Sequence, residues 1–349
     1  MTYKCAHILA ARPNFIKASP VIKELEQHNC KNIIIHTNQH YDYKMSKIFF
    51  QELDIPEPTY HLGVKSGSHA EQTGNSMIKI ESVLTKEQPD YLIVYGDVNS
   101  TLAGALAASK LNIPIFHIES GCRSFDNSMP EEINRILVDS ISDLLFCTEP
   151  SAYNNLLSNN VDKTKIKLVG NTAIDTLHDV VDMLPKNDKY TDYYLCTLHR
   201  PFNVDCKKTL HNILTKLNNL NKQVIIPAHP RLKNNITNTY SNIKLIDPLG
   251  YLDFINCIKH SNGVISDSGG VQCECAFLNI PLLTLRPTTE HLITLTLGNK
   301  LIDIDQINSD NFIRTNFKKP NIWDGNTSKR IVDIINQYHL DNSNKLNII

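Results

Sequence analysis

Short apolar runs alternate with longer stretches in which apolar residues recur every three or four positions, and this rhythm holds through most of the chain. In the first half the runs at Lys4–Leu9, Asn32–His36, Tyr91–Tyr95, Ile113–Ile118 and Leu144–Cys147 read as strands. The helical periodicities fall between them, at Ala18–Gln27, Tyr43–Leu53, His69–Thr85, Ser100–Leu111 and Pro130–Ser142. After Gly170 the alternation resumes, with strands expected near Tyr193–Thr197, Gln223–Pro227, Ile243–Ile246, Gly263–Ser266 and Leu282–Leu285. Strand–helix alternation implies βαβ units and parallel sheets. A polar stretch around Leu184–Asp188 reads as a linker. The pattern predicts an α/β protein of two doubly wound halves with a cleft between them.

In such sheets ligands bind beyond the carboxyl ends of the strands, and the unusual residues cluster there. The first strand runs into Ala11-Arg12-Pro13-Asn14-Phe15-Ile16-Lys17; others end at Gly96-Asp97 and Glu119-Ser120-Gly121. Met129-Pro130-Glu131-Glu132 opens a helix. In the second half Leu198-His199-Arg200, Ala228-His229-Pro230-Arg231 and Ser266-Asp267-Ser268-Gly269-Gly270 take the equivalent ends. Ser268 suits a helix N-cap, and the two glycines leave the first backbone amides bare at the positive end of the helix dipole. That turn is suited to a phosphate, and Glu274, further along the same helix, to the two hydroxyls of a ribose. Neither GxGxxG nor GxxxxGK[ST] occurs, so neither a dinucleotide nor ATP is indicated.

Each polar residue also has a plain structural explanation. Asp97 can cap the helix starting near Ser100, Pro130-Glu131-Glu132 makes an ordinary first turn, and His199-Arg200 can be a surface pair. Three carboxylates, a His-Arg pair, Arg12 and Lys17 at strand ends point together to acid–base work. Crowded carboxylates raise one another's pKa, and cations opposite them stabilise a departing pyrophosphate. His117, His229 and Cys122 have no role that this chemistry demands.

Composition narrows the class. At 349 residues two domains are expected. A formal net charge of −1 lacks the basic footprint of a nucleic-acid or membrane-surface binder. The first residues lead into a strand rather than a signal peptide, and no apolar run approaches a membrane span. Nine cysteines without paired spacing, many in apolar strands, suggest reduced thiols of a cytoplasmic protein.

The motifs taken together resemble the non-hydrolysing UDP-N-acetylglucosamine 2-epimerase family. They are ARPNFIKASP (Ala11–Pro20), TNQHYD (Thr37–Asp42), GDVNSTL (Gly96–Leu102), HIESGCRS (His117–Ser124), MPEEINR (Met129–Arg135), GNTAIDT (Gly170–Thr176), DPLGYLDF (Asp247–Phe254) and SDSGGVQCE (Ser266–Glu274). The resemblance implies a glycosyltransferase-B-like fold of two Rossmann-like domains, 1–170 and 171–324, with a C-terminal helix within 325–349 packing back on the first. It implies a homodimer, a UDP-sugar substrate and no metal or redox cofactor. By resemblance Asp97, Glu119 and Glu131 supply acid–base groups and His199 assists at the leaving phosphate. Arg12, Lys17, Ser268, Gly269 and Gly270 hold the nucleotide, Glu274 the ribose, and Phe254 lies beside the uracil. The implied reaction eliminates UDP to leave a 2-acetamidoglucal, then adds it back with the proton on the other face of C2.

Three departures from the family pattern stand out. Asn14-Phe15 replaces Glu-Ala, His291 follows Thr289-Glu290 where the family has Arg, and no arginine follows Gln72-Thr73. The first of these, with Thr294–Gly298, resembles a branch acting on 6-deoxy sugars. His291 is expected at the edge of the nucleotide pocket, with Arg286 supplying part of the missing charge. A glycosyltransferase of the same architecture and a hydrolysing epimerase are the rival enzymes; the former needs an acceptor pocket and no trio of carboxylates.

Overall fold

The computed structural model describes residues 2–38, 43–185, 189–314 and 316–346. The end of the Thr37–Asp42 motif and the Lys186–Asp188 part of the expected linker lie outside them. Two compact units emerge: Met1–His178 with Asn321–Ile349, and Asp179–Pro320.

The first unit carries seven parallel strands, β1 (Tyr3–Leu9), β2 (Cys30–His36), β3 (Tyr60–His61), β4 (Tyr91–Tyr95), β5 (Ile115–Ser120), β6 (Leu144–Cys147) and β7 (Ile166–Leu168). Their order is β3-β2-β1-β4-β5-β6-β7. Its helices are α1 (Arg12–Gln27), α2 (Tyr43–Glu52), α3 (His69–Glu87), α4 (Asn99–Lys110), α5 (Pro130–Ile141) and α6 (Pro150–Ser158). Then come α7 (Thr172–Val181), whose last residues pass into the second unit, and α14 (Thr327–Leu346). Ala6, Ile8, Ile33, Ile35, Leu92 and Val94 face α3 and α4 in one core. A strand buried on both faces must be apolar throughout, which is why β4 reads YLIVY without alternation. The last helix is held to this unit by polar bonds: Tyr3 donates to Asn336 (2.8 Å), and the Ser328 amide donates to Asp175 (2.7 Å).

The second unit has β8 (Tyr193–Thr197), β9 (Gln223–Pro227), β10 (Ile243–Ile246), β11 (Gly263–Ser266), β12 (Leu282–Thr284) and β13 (Asn299–Leu301), all parallel. The order is β10-β9-β8-β11-β12-β13. Its helices are α8 (Pro201–Val204), α9 (Lys207–Asn218), α10 (Pro230–Asn235), α11 (Tyr251–Lys259), α12 (Gly269–Leu278) and α13 (Leu292–Leu295).

Each sheet winds outward in two directions from a central pair, β1/β4 in the first and β8/β11 in the second. At such a reversal the connections leave on opposite faces and open a crevice at the strands' carboxyl ends. The loops after these four strands carry the polar motifs. The pattern missed the edge strands β3, β7 and β13, two or three residues long, because so short a run shows no period. It also began α1 six residues late; Arg12-Pro13 is the true start, with Pro in the first turn.

Candidate active site

In the first unit, α1 follows β1 directly and brings Lys17 to the β1/β4 reversal. Its Nζ lies 2.6 Å from Glu119 Oε1, both side chains nearly buried. Burial pulls the lysine pKa down, but Glu119 and Asp97 more than offset it and hold it above its ordinary value. Glu119 reaches this position through backbone strain. It has φ +71°, and the β5/β6 register shifts between Ile118 and Ser120. A non-glycine residue in that region costs about 1–2 kcal/mol. Gly96 (φ +62°) leaves the room, since a Cβ there would stand 3.1 Å from Lys17 Nζ.

Asp97 is not a helix cap. The N-cap of α4 is Val98, and the Asp97 carboxylate instead meets Arg135 at 2.5 Å. Arg135 is buried on α5 and forks, its other arm 2.6 Å from Glu132. Glu132 also accepts from the amides of Ser124 (2.9 Å) and Phe125 (3.1 Å), fixing the loop ahead of α5. Asn134 donates to the Asp97 carbonyl (2.8 Å). Each of these carboxylates has a cation of its own, Lys17 for Glu119 and Arg135 for Asp97, and both act on the charge of Lys17. Opposite charges at these distances dominate the local field. Glu131, half-buried, stands in the first turn of α5 and joins none of these bonds.

Arg12 lies at the start of α1 with its guanidinium 5.6 Å from the Phe49 ring centroid. Asn14 is a structural residue. Its Oδ1 accepts from the Ala10 and Ala11 amides and its Nδ2 donates to the Tyr95 carbonyl, while Phe15 packs on His36 and Phe50. The Asn14-Phe15 departure thus has a structural role, closing the turn after β1 and filling the core. His117, read as structural, does support this turn: one ring nitrogen faces the Gly96 carbonyl (2.8 Å), the other Asp139 (2.7 Å). Asp139 is itself paired with Arg123 at 2.6 Å.

In the second unit the loop after β8 is stitched to the turn after β11. The Asp267 carboxylate is fully buried and meets His199 Nδ1 at 2.8 Å. It accepts further bonds from the His199 and Arg200 amides and from Asn203. Burial raises the Asp267 pKa, but His199, Asn203 and the Arg200 amide outweigh it, so it lies below its ordinary value. His199 is thus not half of a loose surface pair.

Ser268 occupies the N-cap of α12, but its hydroxyl makes no cap bond, contrary to the expectation. The role falls to geometry alone: Gly269 and Gly270 open the helix, and a Cβ on Gly270 would meet nothing within 4 Å. One on Gly269 would strike Glu290 at 2.5 Å. Glu274 is buried on α12, and burial pushes its carboxyl up to about 7. Phe254, on α11, is half-buried. His291 is buried, not a surface residue, with Nε2 4.0 Å from Glu290. Arg286 is not spare charge for it, because its guanidinium pairs with Glu290 at 2.6 Å, both buried. Gln272 braces this segment on α12; its Oε1 accepts from Thr289 (2.7 Å) and Asn299 (2.9 Å).

Sequence reasoning passed over Glu132, Arg135 and Asp267. The first two carry a readable signal, an i,i+3 charge pair beside a proline-led first turn. Asp267 looked like part of a phosphate turn, and only the β8/β11 pairing shows that it faces His199.

Two doubly wound parallel units, one ending in ion-paired carboxylates and the other in a glycine turn with a buried acid behind it, define a nucleotide-sugar enzyme of the α/β class. The UDP-N-acetylglucosamine 2-epimerase family matches residues 23–336, and the chain belongs to it. A relative from Methanococcus maripaludis, UDP-N-acetylglucosamine 2-epimerase, is 44% identical over 95% of this chain and 98% of its own. One from Pseudomonas aeruginosa, UDP-2,3-diacetamido-2,3-dideoxy-D-glucuronate 2-epimerase, is 42% identical over 86% of this chain and 88% of its own. The crystal structure of the Methanocaldococcus jannaschii UDP-GlcNAc 2-epimerase, in complex with UDP-GlcNAc and UDP, superposes with a TM-score of 0.89 at 41% identity, covering 96% and 99% of the two chains. The calicheamicin glycosyltransferase CalG4, at 12% identity and TM-score 0.52, shares the fold alone. The fold is glycosyltransferase-B-like, and the chain is an epimerase of this family.

Proposed function

We propose that this enzyme inverts C2 of UDP-N-acetylglucosamine and UDP-N-acetylmannosamine without hydrolysing them. The observation that carries the reading is the pair of cation-held carboxylates at the β1/β4 reversal, Lys17–Glu119 and Arg135–Asp97. A C2 proton is too weakly acidic to leave alone, so its removal is coupled to departure of the group on C1. A carboxylate takes the proton, the C2–H electrons form C1=C2, and the C1–O pair leaves with the β-phosphate of UDP. Re-addition reverses each step, with the proton delivered to the opposite face. Asp97, Glu119 and Glu131 supply these proton transfers. The amides of Gly269 and Gly270 with Ser268, Arg12 and Lys17 receive the pyrophosphate, aided by His199. Glu274 takes the ribose hydroxyls, and Phe254 and His291 border the nucleotide.

The test is incubation with UDP-N-acetylglucosamine in D2O, followed by NMR. Deuterium at C2 with UDP still attached supports the reading. Free sugar with UDP identifies a hydrolysing enzyme, and no exchange at C2 sinks the epimerase chemistry. The 2,3-diacetamido uronate named for the Pseudomonas relative and a 6-deoxy analogue, run beside it, rank the substituents at C3 and C6.

We also infer a homodimer. Ile133, Ile136 and Leu137 form an exposed apolar face on α5 that a second copy would cover. A monomer in sedimentation equilibrium, unchanged by Ile136→Glu, would refute it. A cytoplasmic location is supported by nine free thiols, all but Cys206 buried.

A further inference from the structure

We propose that Asp267 is the positioning residue for His199: its carboxylate holds the imidazole as the Nδ1–H tautomer and turns Nε2 toward the leaving pyrophosphate. This rests on the functional reading above. The geometry is specific. The carboxylate accepts His199 Nδ1 at 2.8 Å, the His199 amide at 3.1 Å, the Arg200 amide at 3.0 Å and Asn203 Nδ2 at 3.0 Å. An ionised carboxylate only accepts, so the proton in the 2.8 Å bond must sit on Nδ1.

A merely structural aspartate would need no more than the two amides and Asn203. Here it also immobilises a ring whose side chain is 58% exposed, which costs rotamer entropy and adds little burial. Asp267 is the residue immediately before Ser268-Gly269-Gly270, so one turn carries both the orienting carboxylate and the amides assigned to the phosphate. One residue earlier, Thr197 and Ser266 share a 2.8 Å hydroxyl bond across paired strands, which keeps the two loop starts in register. The other groups facing this carboxylate's residue are Arg200, whose Nε donates to the Asp267 carbonyl at 3.2 Å, and the Cys196 thiol, which burial keeps protonated. Neither competes for Nδ1.

The arrangement balances the proton. With Nδ1–H committed to Asp267, the proton that Nε2 carries when the ring is an imidazolium is the one donated to the phosphate oxygen as that oxygen receives the C1–O electron pair. The ring left behind is the neutral Nδ1–H tautomer, whose Nε2 lone pair recovers the proton when UDP adds back. The opposite tautomer would have its lone pair facing a carboxylate and no acceptor on the substrate side.

Long-range 15N–1H spectra of the full chain report the tautomer directly. The expected result is Nδ1–H for neutral His199 in the wild type and loss of that preference in Asp267→Asn. Turnover should fall roughly tenfold or more in this variant, the scale for losing a histidine's orienting partner, while UDP affinity stays close to wild type. An Nε2–H tautomer in the wild type overturns the proposal, and it does so even where Asp267→Asn fails to fold. Full turnover in a folded Asp267→Asn overturns it too. Deuterium exchange at C2 by the wild type is measured alongside, so that a failed epimerase reading is told apart from a failed tautomer.

Discussion

Glu274 offers the sharpest quantitative test. It is buried on α12, and burial alone pushes its carboxyl to about 7 from an ordinary value of 4.5. Ionising it in the free enzyme therefore costs about 3 kcal/mol at 1.36 kcal/mol per unit. Ribose hydroxyls are donors, and they favour the anion. Uridine should accordingly bind the ionised form, its affinity rising up to about tenfold per pH unit toward 7 and levelling above it, with uptake of nucleoside releasing a proton near pH 6. Uridine is the ligand of choice because it lacks the phosphates that titrate in the same range. Calorimetry in two buffers of different ionisation enthalpy counts the proton. Glu274→Gln should bind with no pH dependence over this interval.

Stability moves the opposite way. A raised carboxyl means that the folded chain binds more protons than the unfolded one, so stability falls as pH climbs from about 4.5 to 7 and the penalty is complete above it. Glu274→Gln should therefore melt higher than wild type at pH 8, by up to about 3 kcal/mol, and lose that advantage near pH 5. Uridine binding that ignores pH, together with parallel stability profiles of the two proteins, would refute the reasoning.

Asp97→Asn and Glu131→Gln should each lower turnover by about a hundredfold or more, measured as C2 exchange, with UDP affinity largely retained; near-full turnover removes that residue from the mechanism. The adjacent Glu132 should behave differently. Glu132→Ala takes the acceptor from two loop amides and from one arm of Arg135, whose other arm keeps Asp97, and should cost about 1–3 kcal/mol in denaturant unfolding, whereas Glu131→Gln should unfold like wild type. Gly270→Val meets open space in the fold and should leave the melting temperature nearly unchanged while abolishing UDP binding. Gly269→Ala drives a methyl against the buried Glu290–Arg286 pair and should lower both; intact UDP binding by Gly270→Val would return the turn to a purely structural role.

Much of this molecule is legible in its order of residues. Both doubly wound sheets follow from apolar runs separated by amphipathic stretches, because parallel strands buried on both faces must be apolar and their crossovers must be helical. The motif residues at strand ends followed too, since parallel strands buried on both faces leave little room for polar groups until they stop. Partnership was not legible. That Asp97 turns from α4, the helix it precedes, to Arg135, 38 residues on, depends on α5 returning beside α4 and β5. That Asp267 faces His199 across 68 residues depends on β11 lying against β8. That Asn14 closes a loop against the Tyr95 carbonyl, 81 residues on, depends on β4 lying against β1. Local sequence determines periodicity and turn chemistry, which act over a few residues. Charge pairing and desolvation act through space, and only the packed fold decides which distant groups come within about 3 Å of each other.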